Sequence, residues 1–536
     1  MSRPWKAIFI FVISCLIYVP MLLQGVYELT GKRYDVSLVG VANSTQKPEK
    51  SLQGFLDGSY QSSYEQWLNS SLIPRGVSIK LYNQIGYSLF NLGSDWIIGK
   101  NKDIIGLDYI NEYLSLGQGY DFSLPENQQA MQTYISHLES VQKKLESIGK
   151  YFLIYTTPSK AEYYPENIPE KYWLQKPENG MRGITLFRSL IADTDVNYLD
   201  TKEIIEQHME YPLFYTTGIH WARPIEQQVS NAIFEKLEDI SGKHFRKLQL
   251  MDIRTSDKPF WRDSDVFQLQ NLYEKESGQT YYEYGVAPIY TDSYDQLNIL
   301  KQGGSFSEGL EHDYYSFFPN ENYIYLNYNQ NVVENGNWQA ISGWEGIDLA
   351  SYLDRVDYVV IEVNDCVLPM YSNGFVEYLD QFLDSYVPNQ SQTVTYGLNL
   401  DASTKTGGNV CGGLYGFEEG FCWSTGKSYV TLQNPMITQN GLQLQFQIPQ
   451  QLFQGTDVRL VIYVNQEKIT DMIVDSAGEC SISVPPEMLA KGQDDIYEIE
   501  FYCSHSFVPA QFGINDDTRS LSMQVMYIGE VKEDGI

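Results

Sequence analysis

The chain has 536 residues, enough for two to four domains, and its 43% hydrophobic and 20% charged residues exclude global disorder. Its 37 Lys and Arg against 68 Asp and Glu leave a net charge of −31, which a nucleic-acid backbone would repel, and no long basic run offsets it. Aromatics reach 14%, with 42 Tyr and 9 Trp, residue types used by strands, cores and sugar-binding faces alike.

The first element is Ala7–Tyr27, AIFIFVISCLIYVPMLLQGVY. It carries no charge and is about long enough to cross a bilayer as a helix. Arg3 and Lys6 precede it, Lys32 and Arg33 lie on its other flank, and no A-x-A-like cleavage site follows. The expectation is an uncleaved single-pass anchor over 7–27, a cytoplasmic tail over 1–6, and the bulk of the chain outside the cytoplasm at the cell membrane. Residues 28–53 are polar and lack periodicity, which reads as a tether.

Helical spacing follows, in Tyr64, Trp67 and Leu68 and again in Leu81, Ile85 and Leu89. Pro125-Glu126 opens a helix with Met131, Ile135, Leu138, Val141, Leu145 and Ile148 on one face, and Gly149 ends it. His137 lies beside that stripe and reads as a surface histidine. Short apolar runs at 151–160, 196–200, 297–305 and 357–363 alternate with helical segments such as 224–240. The alternation predicts an α/β domain over 54–390 with a mostly parallel sheet and its site at the carboxyl ends of strands. From 396 to 536 runs such as LQLQFQI, VRLVIYV and YEIEFYC alternate in period two, predicting an antiparallel all-β sandwich. Six cysteines are too few for a disulfide scaffold; Cys411 with Cys422 and Cys480 with Cys503 could pair or stay free. With no CxxC, HExxH or calcium-loop spacing, neither a metal site nor a cofactor is expected.

Two candidates for chemistry stand out. Gly303-Gly304-Ser305-Phe306 follows an apolar strand, so two glycines allow a tight turn that presents Ser305 as a nucleophile beside backbone amides. A common loop has the same composition, and only a base would decide between them. His220, in FYTTGIHWARP (214–224), precedes a helix that opens near Pro224. A helix N-terminus disfavours positive charge and so favours the neutral imidazole of a general base.

On these residues the chain resembles the AlgX/AlgJ alginate O-acetyltransferase family and its DHHW relatives. WIIGKNKDIIGLDYINEYL (96–114) is similar to that family's opening segment, and TTPSKAEYYPENIP (156–169) to its proline-lysine motif. FYTTGIHW is similar to its histidine box and GGSF to its serine box, in the same order. The resemblance covers about 54–390. It implies an SGNH-hydrolase-like fold, Ser305 as nucleophile, His220 as base, and Lys160 and Trp221 as substrate or structural motif residues. It further implies acetyl transfer through an acetyl-serine to an extracytoplasmic polysaccharide, in a membrane-associated exopolysaccharide modification system. A membrane-bound O-acyltransferase usually supplies the acetyl group in such systems. The family's triad aspartate position holds Gly218, and Gly304 replaces the aspartate of the serine box. Either a replacement acid, with Asp313, Glu308 and Asp365 as candidates, reaches the imidazole, or a Ser-His dyad works slowly with the help of a backbone carbonyl, or catalysis is lost. The alternatives are a catalytically impaired polysaccharide-binding scaffold and a carbohydrate acetylesterase. GFEEGFCWSTGKSYVTL (416–432) and SFVPAQFGINDDTRSLSMQVMYI (506–528) resemble jelly-roll, carbohydrate-binding modules of bacterial glycan-processing proteins. There Asp517 and Arg519 read as fixing a turn, and Trp423 as core.

Overall fold

A single helix, Arg3–Thr30, contains the apolar stretch; Ala7–Tyr27 has a mean hydropathy of 2.4 and none of it is buried. It is long and apolar enough to be a membrane span or a signal sequence. The computed structural model describes residues 3–31, 36–40, 47–71, 75–208, 210–274, 279–308, 312–318, 321–328, 330–334, 337–388, 396–407, 410–453, 455, 457–490 and 492–532. Lys32, Arg33 and part of the expected tether lie outside them.

The α/β part is built on strands β1 Tyr151–Thr157, β2 Tyr198–Asp200, β3 Lys247–Ser256, β4 Tyr281–Ile289, β5 Ile299–Gly303, β6 Tyr323–Asn327, β7 Asn331–Glu334, β8 Asn337–Ala340 and β9 Tyr358–Asn364. Seven of them form a mixed sheet in the order β8-β7-β6-β5-β9-β1-β2. The five strands from β6 to β2 are parallel, and β7 and β8 add an antiparallel edge. β9 is buried at every position, as expected where both sheet faces are covered. Phe152, Ile154, Val359 and Ile361 face the helices Pro125–Ser147 and Phe375–Leu383; Leu153, Tyr155, Tyr358 and Val360 face Arg223–Ser241. Period-two alternation thus divides one apolar run between two cores. The helix Pro125–Ser147 begins at its proline, and Gly149 follows its end at φ +76°. His137 is not a free surface histidine, because its Nδ1 lies 2.7 Å from Asp380 Oδ2.

β3 and β4 were not anticipated. They form a separate antiparallel hairpin whose long connection, residues 257–280, returns to the α/β core. That connection carries the helix Asp265–Leu269.

The C-terminal part is a single nine-stranded sheet with antiparallel ladders, not the two separate sheets of a jelly-roll. The reason is the twelve-residue strand Cys422–Gln433. Its first residues pair with Gln524–Glu530 and its last seven with Ile496–Cys503, so one strand joins both layers. The resulting sheet closes around one core in barrel-like fashion. Trp423 packs against that core, and Arg519 bridges Asp517 and Glu418. All six cysteines are free; Cys411 faces Val430 and Cys480 faces Phe446 across their ladders.

The two parts share buried charge. Arg246, fully buried, donates to Glu321 at 2.8 Å on one side and to Glu500 at 2.7 Å and Tyr502 at 2.9 Å on the other. Its guanidinium lies 3.5 Å from the Tyr294 ring centroid and 3.7 Å from that of Phe318.

Candidate active site

Ser305 stands two residues past the end of β5, at the carboxyl edge of the parallel sheet. The turn is tight because its glycines are hemmed in. A Cβ on Gly304 would lie 2.9 Å from the Tyr328 hydroxyl, so a side chain there, such as the aspartate of the resembling box, would displace the Tyr328 ring. Gly304 N–H donates to Glu362 Oε2 at 2.8 Å, and Glu362 Oε1 accepts from Thr157 at 2.5 Å. Three neighbouring strands, β5, β9 and β1, thereby fix the turn.

His220 arrives from the loop before the helix Arg223–Ser241, held by a bridge between Phe214 and Trp221. Its Nε2 lies 2.9 Å from Ser305 Oγ and its Nδ1 lies 2.6 Å from Asp265 Oδ2. The carboxylate accepts, which assigns the ring proton to Nδ1 and leaves Nε2 to accept from the serine hydroxyl. Asp265 is itself held by the backbone N–H groups of Val266 at 2.8 Å and Ile219 at 3.3 Å on Oδ1.

The carboxylate on the imidazole is therefore none of those considered from sequence. Both ring nitrogens are already occupied, by Asp265 and Ser305. Glu308 follows the serine turn and lines a groove instead. Asp365 is buried near Arg182, 3.8 Å away, and burial together with Glu112 pushes its carboxyl well above the usual range. Asp313 falls in the short helix His312–Phe317, with its side chain outside the described residues.

Gly218 explains the exchange. A Cβ there would lie 2.8 Å from the Asp263 carbonyl oxygen and 2.9 Å from that of Arg262. The backbone that delivers Asp265 occupies the space a side chain at 218 would need. Thr217 Oγ1 donates to the Asp263 carbonyl at 2.8 Å, and Phe267 N–H donates to the Thr217 carbonyl at 3.0 Å, so hairpin connection and histidine loop are laced together.

Lys160, fully buried, holds the histidine loop from below. Its ammonium donates to the carbonyls of Tyr215 at 2.6 Å, Gly218 at 2.9 Å and Ile104 at 3.0 Å, and pairs with Asp103. Burial pushes Lys160 down and Asp103 up from their ordinary values, and their mutual attraction opposes both shifts. Trp221 packs edge-on against Phe306, which also abuts the His220 ring. These contacts put Lys160 and Trp221, expected as substrate or structural motif residues, in the scaffolding of the loop.

Two further groups went unread in the sequence. Ser305 N–H donates to the Tyr328 hydroxyl at 3.0 Å, and that hydroxyl lies 3.3 Å from Ser305 Oγ. Burial raises the Tyr328 phenol, which keeps its proton available. Arg262 donates to the Ser305 carbonyl and, at 3.0 Å, to Glu226. Beyond Arg262 and Glu308 runs a groove of about 1470 Å³ between the α/β part and the C-terminal sheet. Phe260, Tyr284, Tyr323, Trp338 and Tyr429 line it, with Arg223, Lys427 and Arg459.

Solved structures similar to the chain include the O-acetyltransferase domain of Pseudomonas putida AlgJ, 13% identical over 54% of this chain and 99% of that one, with a TM-score of 0.34. Pseudomonas aeruginosa AlgX is 10% identical over 82% and 95%, with a TM-score of 0.34. A DHHW family protein from Eubacterium siraeum is 12% identical over 56% and 100%, with a TM-score of 0.30. These are the proteins the four sequence boxes resemble. No protein-family model matches the chain, and no curated protein does.

Proposed function

We propose that this protein is an extracytoplasmic polysaccharide O-acetyltransferase working through an acyl-serine on Ser305. The observation that carries the reading is the unbroken line Ser305 Oγ, His220 Nε2, His220 Nδ1, Asp265 Oδ2 at 2.9 and 2.6 Å. Nothing in packing alone calls for a half-exposed serine aimed at a carboxylate-backed imidazole. A nucleophile at a parallel strand's carboxyl end also supports the SGNH-hydrolase-like reading of the fold.

Ser305 Oγ attacks the acetyl carbonyl of a donor while His220 Nε2 takes the hydroxyl proton. Asp265 stabilises the imidazolium that forms. The developing oxyanion is served by the Tyr328 hydroxyl and the Ser305 amide, which release one another to do so. The donor's leaving group departs with the proton from His220. In the second half, a sugar hydroxyl gives its proton to His220 and attacks the acyl-serine; the Ser305 Oγ–acyl bond breaks, His220 returns the proton to Oγ, and the sugar ester is released.

The groove beside Arg262 and Glu308 supplies a place for the acceptor. Its aromatic faces suit sugar rings and its cations suit an anionic glycan in a chain that is otherwise strongly acidic. We assign the C-terminal sheet to glycan binding and the helix Arg3–Thr30 to single-pass anchoring at the cell membrane. A membrane-bound O-acyltransferase is the partner proposed to supply acetyl. The scaffold reading rested on a missing acid, and Asp265 removes that motive.

The test is acetyl transfer from an activated acetyl ester to an oligosaccharide acceptor, read by mass spectrometry of the sugar. O-acetylated sugar with wild type and none with Ser305→Ala supports the reading. Free acetate released at one rate with or without acceptor would contradict it and favour an esterase.

A further inference from the structure

The helix Arg75–Phe90 carries apolar side chains on both its sides. Its inward side buries Tyr87, which packs edge-on against Phe267, and docks through polar groups. Asn83 Nδ2 donates to the Gln270 carbonyl at 2.7 Å, and Gln84 Oε1 accepts from the Tyr273 and Glu274 amides at 2.9 Å each. Its outward side carries Leu81, Tyr82, Ile85 and Leu89, exposed by 50%, 78%, 46% and 72%. The spacing 81, 82, 85, 89 is one helical face. A soluble surface helix presents polar residues outward, so this exposed apolar face is built to be covered.

Two observations identify the cover. First, residues 66–94 contain no Asp or Glu, and their charged residues are Arg75 and Lys80. At the chain's average of 68 acids in 536 residues, a stretch of that length would hold about four. Second, the chain leaving the apolar helix at Thr30 is pinned at Val39. Its N–H donates to Asn271 Oδ1 at 2.8 Å, and Asn271 Nδ2 donates back to its carbonyl at 3.1 Å. Asn271 belongs to the same segment, 270–274, on which the helix Arg75–Phe90 docks. Nine residue steps span at most about 30 Å, so the apolar face cannot stray far from the end of the apolar helix.

We propose that the outward face of Arg75–Phe90 lies on an anionic lipid surface, with Leu81, Ile85 and Leu89 in the acyl boundary and Tyr82 at the headgroup level. The proposal rests on the anchoring reading of Arg3–Thr30. It gives the α/β part a fixed orientation on the bilayer in place of a free swing on a tether.

The experiment places the full chain in nanodiscs carrying a trace phospholipid with a photoactivatable diazirine in its upper acyl chain. The discs are phosphatidylcholine with or without phosphatidylglycerol, and adducts are mapped by peptide mass spectrometry. The expected result is lipid adducts on 7–27 and on 75–92, the latter about tenfold above the peptide holding exposed Ile473 and falling several-fold without phosphatidylglycerol. Leu81→Ser, Ile85→Ser and Leu89→Ser combined should bring 75–92 to background and leave 7–27 labelled; the three sites are exposed, and Tyr82→Ser serves as a milder check. Adducts on 7–27 alone would leave the anchor standing and overturn this surface. Adducts on neither segment would overturn both. Labelling indifferent to phosphatidylglycerol, or cross-links from 75–92 to a second copy or another protein, would overturn the assignment to anionic lipid.

Discussion

Asp265 is the residue on which the reading of His220 turns. A carboxylate on Nδ1 fixes the tautomer that leaves Nε2 basic, and an amide in its place can hold the ring in the wrong one. Asp265→Asn should keep the fold and lower acyl transfer by up to ~10⁴-fold, the scale of the corresponding serine-protease change; steady-state rates on an activated ester, beside a thermal melt, check this. Activity within a few-fold of wild type would show that another group orients the imidazole. Gly218 gives the complementary test. With two carbonyl oxygens under 3 Å from its would-be Cβ, even Gly218→Ala must push the 262–263 backbone away. We expect a loss of roughly 1–3 kcal/mol in the melt, as for overpacking, together with slower acylation because Asp265 moves with that backbone. An aspartate there is no repair of the family pattern, since the site already has its acid. Ser305 and His220 were legible from their boxes. Asp265 was not, since an Asp opening a short helix in WRDSDVFQL looks like any helix start. The one available signal was Gly218 itself, a gap that required an acid from elsewhere.

At the scale of elements, three of the buried sheet strands were readable, while Tyr323–Asn327, nearly as buried, was not. β1, β5 and β9 are short apolar runs ended by turn residues, and the sequence expectation and the structure agree on them. The β3–β4 hairpin was missed because KLQLMDIRTS and YYEYGVAPI mix polar and apolar positions on a two-stranded sheet with little core behind it. Its connection is what brings Asp265 to His220, so the missed element and the missed residue are one omission. The C-terminal strands were expected as two separate sheets, and their joining into one was missed for a similar reason. Period-two alternation reports which side of a strand is buried, and is silent on a strand long enough to belong to both layers. The histidine loop is the element most dependent on a single side chain. Lys160→Met should cost roughly 3–5 kcal/mol, because Asp103 is left buried without its partner and three carbonyls lose their donor. Chemical denaturation reads the loss; an unchanged midpoint would mean the loop is held by its own bridge and by Thr217.

Across the whole molecule, the groove exists only if the α/β part and the C-terminal sheet stay in register. Arg246 is the main tie, between Glu321 and Glu500, and Gln296 adds a 3.1 Å bond to Glu498. Burial, reinforced by Glu500, pushes Glu498 up to about 7. Between the ordinary glutamate value and about 7 the folded chain therefore holds a proton that the unfolded chain has released. That contribution is complete at low pH and lost as pH rises through 7. Glu498→Gln should flatten the decline in melting temperature between pH 5 and pH 8, by an amount worth up to about 3 kcal/mol. An identical pH profile in the variant would contradict the buried, protonated state.

The proposed function depends on acylation of Ser305 through His220 and Asp265. The direct measurement is peptide mass spectrometry of the chain after brief exposure to an activated acetyl ester, for wild type, Asp265→Asn and Ser305→Ala in parallel. The expected result is an acetyl group on Ser305 in wild type, its slow appearance in Asp265→Asn, and none on that peptide in Ser305→Ala. Equal acetylation of all three folded proteins, or acetyl on another residue with Ser305 untouched, would contradict it.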